Sequence, residues 1–121
     1  MKDIKFRCWV KKEKNMLYDW RATANPYFIN GFMYRKSEIE LMQYTGVKDI
    51  NNKYVYEGDI LEIWIDNIKQ YNYYLVEDLK DLYLEMNRDD PYLRFTNIKV
   101  IGNKYENPEL LCNKTNNLST Y

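Results

Sequence analysis

The stretch LMQYTGVKDINNKYVYEGDILEIWID, residues Leu41 to Asp66, decides the fold because turn residues interrupt its apolar runs at short intervals. Gly46 is predicted to break the first strand, and Asn51-Asn52 tolerates the left-handed conformation that a tight turn needs. Glu57-Gly58-Asp59 predicts a second bend, immediately before the apolar strand 60–66, in which alternate side chains face opposite sides. The stretch therefore predicts short antiparallel strands that curl around a shared core.

Two hairpins are predicted on the N-terminal side of this stretch. Apolar residues alternate with polar ones over 4–10, and a polar link leads to a return strand over 16–21. Asn30-Gly31 separates two short apolar runs, which is typical of a two-residue hairpin whose central residues need positive φ. The following residues, 35–40, are compatible with either a connector or one short helical turn.

One helix is predicted on the C-terminal side. After a return strand over 71–76, apolar residues recur at helical spacing, which predicts an amphipathic helix over 78–87. Asp90-Pro91 ends it, and a last strand follows over 95–101. The predicted fold class is therefore α+β, mainly β, with short antiparallel hairpins and one amphipathic helix near 78–87.

The size and composition of the chain restrict its function. A chain of 121 residues fits one domain, predicted over 1–112, with a flexible polar tail over 113–121. The chain has no histidine, two cysteines without zinc spacing and only four glycines, so common catalytic, metal-binding and phosphate-binding motifs are absent. We predict no enzyme, no cofactor and no metal. The sequence shows no signal peptide or membrane span, and a cytoplasmic protein is expected.

Two long motifs resemble the YopX family of small proteins encoded by bacteriophages and prophages. The first is LMQYTGVKD over 41–49, continued by YEGDI over 56–60, and the second is VIGNKYENPELL over 100–111. The opening IKFRCW over 4–9 is also similar, whereas Asn52 and Lys104 depart from the family pattern. The resemblance implies a phage protein in a bacterial host cell. It also implies a small barrel-like core of the Src-homology-3 type, without an activity to carry over.

A protein-binding surface is the leading functional hypothesis, because the chain has thirteen tyrosines and carries a net charge of −7 over residues 57–90. The expected partner is a second copy of the chain or a host bacterial protein. Internal charge complementarity is the alternative explanation of the same asymmetry. The candidate surface residues are Tyr44, Tyr56, Glu57, Asp59, Asp78, Asp81, Glu85, Tyr105 and Glu106.

The runner-up hypothesis is a weak nucleic-acid-binding module on the first hairpin. Residues 1–56 carry a net charge of +5, and basic side chains there surround a tryptophan that could stack on a base. The residues are Lys5, Arg7, Trp9, Lys11, Lys12 and Lys14. Glu57 and Asp59 could also present carboxylates to a divalent ion, but no third ligand follows by spacing.

Overall fold

Short strands dominate the part of the chain that the structure, a computed structural model, describes: residues 5–20, 28–29, 32–33 and 35–111. The strands are β1 (Phe6–Val10), β2 (Asn15–Trp20), β3 (Phe28–Ile29), β4 (Phe32–Met33), β5 (Ile39–Lys48), β6 (Tyr54–Tyr56), β7 (Asp59–Ile65), β8 (Ile68–Lys69), β9 (Tyr74–Leu75) and β10 (Phe95–Asn103). A 3₁₀ turn covers Lys36–Glu38, helix α1 covers Leu79–Met86, and residues 108–111 are helical.

The first sheet has the strand order β2-β1-β5-β6, and its neighbouring strands are antiparallel. The alternation in β1 places Cys8 and Val10 on one face, where they pack with Ile39 and Leu17 in a small apolar cluster. The predicted first hairpin is therefore confirmed. β3 and β4 pair as the second predicted hairpin, whose Asn30-Gly31 turn lies outside the described residues.

Gly46 does not break its strand, contrary to the sequence prediction. β5 continues through it to Lys48, and Gly46 has a φ of 88°. The pairing of β5 with β6 shifts register between Tyr44 and Lys48, which is the mark of a β-bulge. The glycine lets one long strand change direction, so β5 pairs with β1 at one end and with β6 at the other.

The second sheet has the order β10-β7-β8, and β9 also pairs with β7. Leu61 and Ile63 of β7 face the main apolar core, as the alternation predicted. The other buried members of that core are Val55, Val76, Leu82, Phe95 and Ile98. β7 is the central strand of this sheet, which explains why its sequence is so apolar.

Helix α1 confirms the sequence prediction almost to the residue. Asp78 is its N-cap and accepts a hydrogen bond from the Lys80 N–H at 2.9 Å. Leu82 is fully buried against the main core, whereas Tyr83 and Leu84 are more than half exposed. The helix therefore covers the sheet with a narrow apolar stripe.

A backbone contact joins the sheets, because the Ile50 N–H in the β5–β6 turn donates to the Ile98 oxygen of β10 at 2.9 Å. The Lys104 N–H donates to the Gly58 oxygen at the same distance and extends the pairing of β10 with β7 to the bend after β6. The result is an α+β, mainly β fold with a curled half-barrel sheet, which confirms the predicted fold class. None of the helices in the described ranges is both long and apolar enough to cross a membrane.

Candidate functional site

A buried ion pair between Arg7 and Asp59 lies where the two sheets meet. Both side chains are 2 % exposed, and Arg7 Nη1 lies 2.9 Å from Asp59 Oδ1. Arg7 Nη2 also donates to the Glu57 carbonyl oxygen at 2.9 Å, and the second Asp59 oxygen accepts the Tyr56 N–H at 2.8 Å. The bend Glu57-Gly58-Asp59 is thus folded around the guanidinium of the first strand.

Burial of this pair makes its charged forms energetically unfavourable. Burial raises the pKa of the Asp59 carboxyl above its usual range, although Arg7 and the Tyr56 N–H act in the opposite direction. Arg7 Nε is buried and has no hydrogen-bond partner among the described residues. Buried charges need such pairing because desolvation alone would be strongly unfavourable.

Aromatic rings surround the Arg7 guanidinium. Its Cζ atom lies 4.9 Å from the ring centre of Tyr56 and 5.9 Å from that of Tyr18. Tyr18 meets Tyr56 edge to face, and Tyr44 packs against both Tyr56 and Tyr54. The arrangement is a cation–π cluster on the inner face of the first sheet.

A cleft of about 410 Å³ opens beside this cluster. Arg7, Asp59 and Tyr56 line its inner part, and the cleft lies between β6 and β10, each the outermost strand of its sheet. Its remaining lining comprises Tyr18, Lys53, Tyr54, Val100, Ile101, Gly102, Asn103, Glu106 and Asn107. The family-like stretches 4–9, 56–60 and 100–111 therefore all contribute residues to the cleft.

The far wall of the cleft is fixed by Asn103 and Asn107. The Asn103 side-chain oxygen accepts the N–H groups of Tyr105 and Glu106, and its amide donates to Glu106 Oε1 at 2.7 Å. Asn107 Oδ1 accepts the Asn103 N–H at 3.2 Å. These bonds hold the turn after β10 in one conformation, so this wall of the cleft is preformed.

Three of the predicted surface residues are buried, which corrects the sequence analysis. Tyr44, Tyr56 and Asp59 are 7, 3 and 2 % exposed, because Tyr56 and Asp59 pack against Arg7 and Tyr44 packs on the Tyr56 ring. Glu57 is half-buried, and its Oε1 accepts the Gln43 N–H at 2.8 Å. The carboxylates of Glu57 and Asp59 are thus engaged by different donors, which does not favour a shared metal site.

The other predicted surface residues lie at the surface in two separate places. Asp78 and Asp81 are exposed on α1, and Glu85 is half-buried there and pairs with Arg88. Tyr105 and Glu106 lie instead in the turn after β10, where Glu106 lines the cleft and Tyr105 is half-buried. The predicted surface is therefore divided between the cleft and the helix.

The predicted basic hairpin is also divided. Arg7 is buried in its ion pair, and Trp9 is half-buried and stacked on Tyr105 with ring centres 5.4 Å apart. Lys11 pairs with Glu40, and Lys5 lies over the Tyr54 ring. Lys12 and Lys14 are exposed in the β1–β2 turn. A continuous basic platform centred on Arg7 and Trp9 is therefore not formed, which corrects that hypothesis.

Two apolar side chains of α1 lie on its exposed face. The apolar residues that recur at helical spacing include Tyr83 but not Leu84, and both side chains are exposed, by 57 and 59 %. The sequence contains a signal for this exposure, because three consecutive apolar residues, 82–84, cannot all face one core from a helix. Tyr92 and Leu93, which follow the helix, are also exposed.

Comparison with known proteins places this small mainly-β domain in a family. Residues 5–112 match the family model described as YopX protein, so the chain belongs to the YopX family and the resemblance is confirmed. The fold is similar to that in the crystal structure of protein EF1440 from Enterococcus faecalis, with a TM-score of 0.53 and 24 % identity. That likeness covers 92 % of this chain and 99 % of the other. No curated protein matches the chain.

Proposed function

We propose that this chain is a non-enzymatic accessory protein of a phage or prophage that acts in the bacterial cytoplasm by binding another protein. The observation that carries the proposal is the outer face of α1, which combines exposed apolar and acidic side chains. Tyr83 and Leu84 are more than half exposed, and Asp81 lies beside them on the same short helix. Exposed aromatic and aliphatic side chains of this kind are typical of protein interfaces.

Charge complementarity supports a partner with a basic surface. Residues 57–90 carry a net charge of −7, and the helix contributes Asp81 and Glu85 to it. Arg88 neutralises only part of this charge through its pair with Glu85. A host protein with a basic patch around an apolar pocket fits this face, and its association should be faster at low salt.

Capture from bacterial lysate with matched variants tests the proposal. The variants Y83S/L84S and D81K alter the α1 face, while Tyr71→Ser alters a tyrosine of similar exposure in another part of the molecule. We expect the same host protein to be retained by the wild type and by the Tyr71→Ser variant, and to be lost from both α1 variants. Raised salt should weaken its retention.

Three outcomes would contradict the proposal. Retention that is unchanged in both α1 variants would place the interface elsewhere. A mass that doubles with concentration in light scattering, and returns to monomer in Y83S/L84S, would identify a second copy as the partner instead. Tight, strongly salt-dependent binding to DNA or RNA in a gel shift would favour the nucleic-acid function.

A further inference from the structure

The cleft beside Arg7 has the construction of a small-molecule site, and the α1 surface does not use it. Its volume of about 410 Å³ lies within the ~300–1,000 Å³ that is usual for ligand pockets. Its inner residues are buried and held by hydrogen bonds: Arg7, Asp59, Tyr56 and Asn103 are all at most 5 % exposed. A ligand would therefore meet preformed walls.

Two β-bulges shape opposite sides of this cleft. Between Phe6 and Cys8 the register of β1 with β2 shifts, so that Tyr18 and Asp19 together stand opposite Arg7. Between Val100 and Gly102 the register of β10 with β7 shifts in the same way, and Ile101 is the extra residue. Bulges re-aim side chains and free backbone groups near functional sites. Here Tyr18 and Ile101 both line the cleft.

The ends of the cleft limit the size of its occupant. Along the strands, the lining residues of β6 and β10 fall between two backbone hydrogen bonds: Ile50 to Ile98 before β6, and Lys104 to Gly58 in the bend after it. Because the two sides of the opening are hydrogen-bonded to each other at both ends, an extended peptide could not lie between the strands and continue past it. The cleft accepts a small molecule that enters from its open side.

The chemistry of the lining favours an uncharged, polar and aromatic occupant. The charged residues balance, with Arg7 and Lys53 against Asp59 and Glu106. Tyr18 is half exposed at the rim, so its ring can stack on a planar ligand. Asn107 adds a side-chain amide: its oxygen accepts the Asn103 N–H, and its NH2 group can donate to the edge of a heterocycle.

We propose that this cleft binds a nucleoside, with the base stacked on Tyr18 and its edge directed towards the Asn107 side-chain amide. Because acids and bases balance in the lining, a 5′-phosphate adds no affinity. This site is separate from the α1 face, so the proposal stands or falls independently of the proposed function.

Titration of the isotope-labelled chain with nucleosides tests the proposal by NMR. Adenosine, guanosine, cytidine and uridine are the probes, and ribose and inorganic phosphate are the controls. We expect saturable shifts of the amides of 53–56 and 100–103 with at least one nucleoside, and none with ribose or phosphate. Loss of one stacking ring in Tyr18→Ala should weaken binding by at least about fivefold. The variant Tyr92→Ala, which removes a more exposed tyrosine ring outside the cleft, should bind as the wild type.

Several results would overturn the assignment. The first is the absence of saturation by any of the four nucleosides at millimolar concentration. The second is equal affinity in Tyr18→Ala and wild type. The third is much tighter binding of a nucleoside monophosphate with competition by free phosphate, which would identify an anion site. Unchanged amide dispersion in the Tyr18→Ala spectrum shows that the variant is folded, so weaker binding cannot be ascribed to unfolding.

Discussion

The charge of Arg7 is buried, so the effect of Arg7 on stability depends on its ion pair with Asp59. Breaking a buried ion pair leaves the other charge unpaired and costs about 3–5 kcal/mol, whereas replacing both members by apolar residues is much less costly. Arg7 and Asp59 are both almost fully buried, so this asymmetry applies to them.

We therefore expect Arg7→Leu and Asp59→Leu each to lower the free energy of unfolding by about 3–5 kcal/mol in urea denaturation. The double variant R7L/D59L should lose less than either single variant. Lys12→Ala, at an exposed site in the first turn, is the control and should remain within about 0.5 kcal/mol of the wild type. Losses that simply add in the double variant would show that the two charges are not coupled.

Cys8 gives a second prediction at the residue scale. Burial raises the pKa of its thiol to about 11, with a smaller contribution from Glu40. Since the folded state then holds its proton more tightly than the unfolded chain, stability is retained below pH 9 and falls as the pH rises from 9 towards 11. The loss attributable to Cys8 is of the order of 2 kcal/mol.

A Cys112→Ser background isolates this thiol. In that background we expect slow alkylation at pH 8 in the folded state and rapid alkylation in urea. The steeper loss of stability above pH 9 should disappear in C8A/C112S. Equal alkylation rates in folded and unfolded protein would contradict the burial of Cys8.

At the scale of the elements, the two glycines with positive φ act differently. Gly46 and Gly58 both have a φ of 88°, but a Cβ at Gly46 would meet nothing within 4 Å. At Gly58 it would lie 3.0 Å from the Met42 sulfur and 3.5 Å from Arg7 Nη2. Gly58 thus combines a backbone requirement with close packing against the ion pair.

We expect Gly46→Ala to cost about 1–2 kcal/mol, the conformational penalty alone. Gly58→Ala should cost more, by about 1 kcal/mol or above, because the Met42 side chain must also move. Thermal or urea unfolding of the matched pair measures the difference. An equal loss in the two variants would mean that Met42 adjusts without cost.

Local sequence patterns predicted the elements that depend on nearby residues. The helix at 78–87, the bend at Glu57-Gly58-Asp59 and the left-handed Asn52, with a φ of 66°, all follow from propensities within a few residues. The continuation of β5 through Gly46 could not be predicted in this way, because a glycine can either end a strand or form a β-bulge within it. The choice is made by the strands that pair on either side.

The site was less predictable than the elements. Arg7 alternates with Phe6 and Cys8, so its period-2 pattern predicts an outward-facing charge. Its burial depends on Asp59, which is 52 residues away and reaches it only after both sheets form. The cleft depends on two register shifts, and neither has a sequence signal as strong as an Asn-Gly turn.

At the scale of the whole molecule, the Asp49 side chain links the two sheets through hydrogen bonds. Its Oδ1 accepts the N–H groups of Asn51 and Lys53, and its Oδ2 accepts the N–H of Val100 in β10, all at 2.8–2.9 Å. The side chain is only 7 % exposed. One carboxylate therefore shapes the β5–β6 turn and holds the edge of the second sheet.

We expect Asp49→Ala to lower the free energy of unfolding by about 3 kcal/mol, because it removes three hydrogen bonds to one carboxylate, from the N–H groups of Asn51, Lys53 and Val100. Hydrogen exchange should show the largest loss of protection at Val100 and Lys53. Asp89→Asn, which changes an exposed acid, is the control. Unchanged protection at Val100 would show that the sheets are joined without Asp49.

The stacking of Trp9 on Tyr105 has a consequence for how the chain is made. A ribosome releases the first strand long before the residues that cover it, so the indole of Trp9 stays in contact with water until Tyr105, 96 residues later, has emerged. Until then the nascent N-terminal hairpin is exposed to chaperones and to other chains.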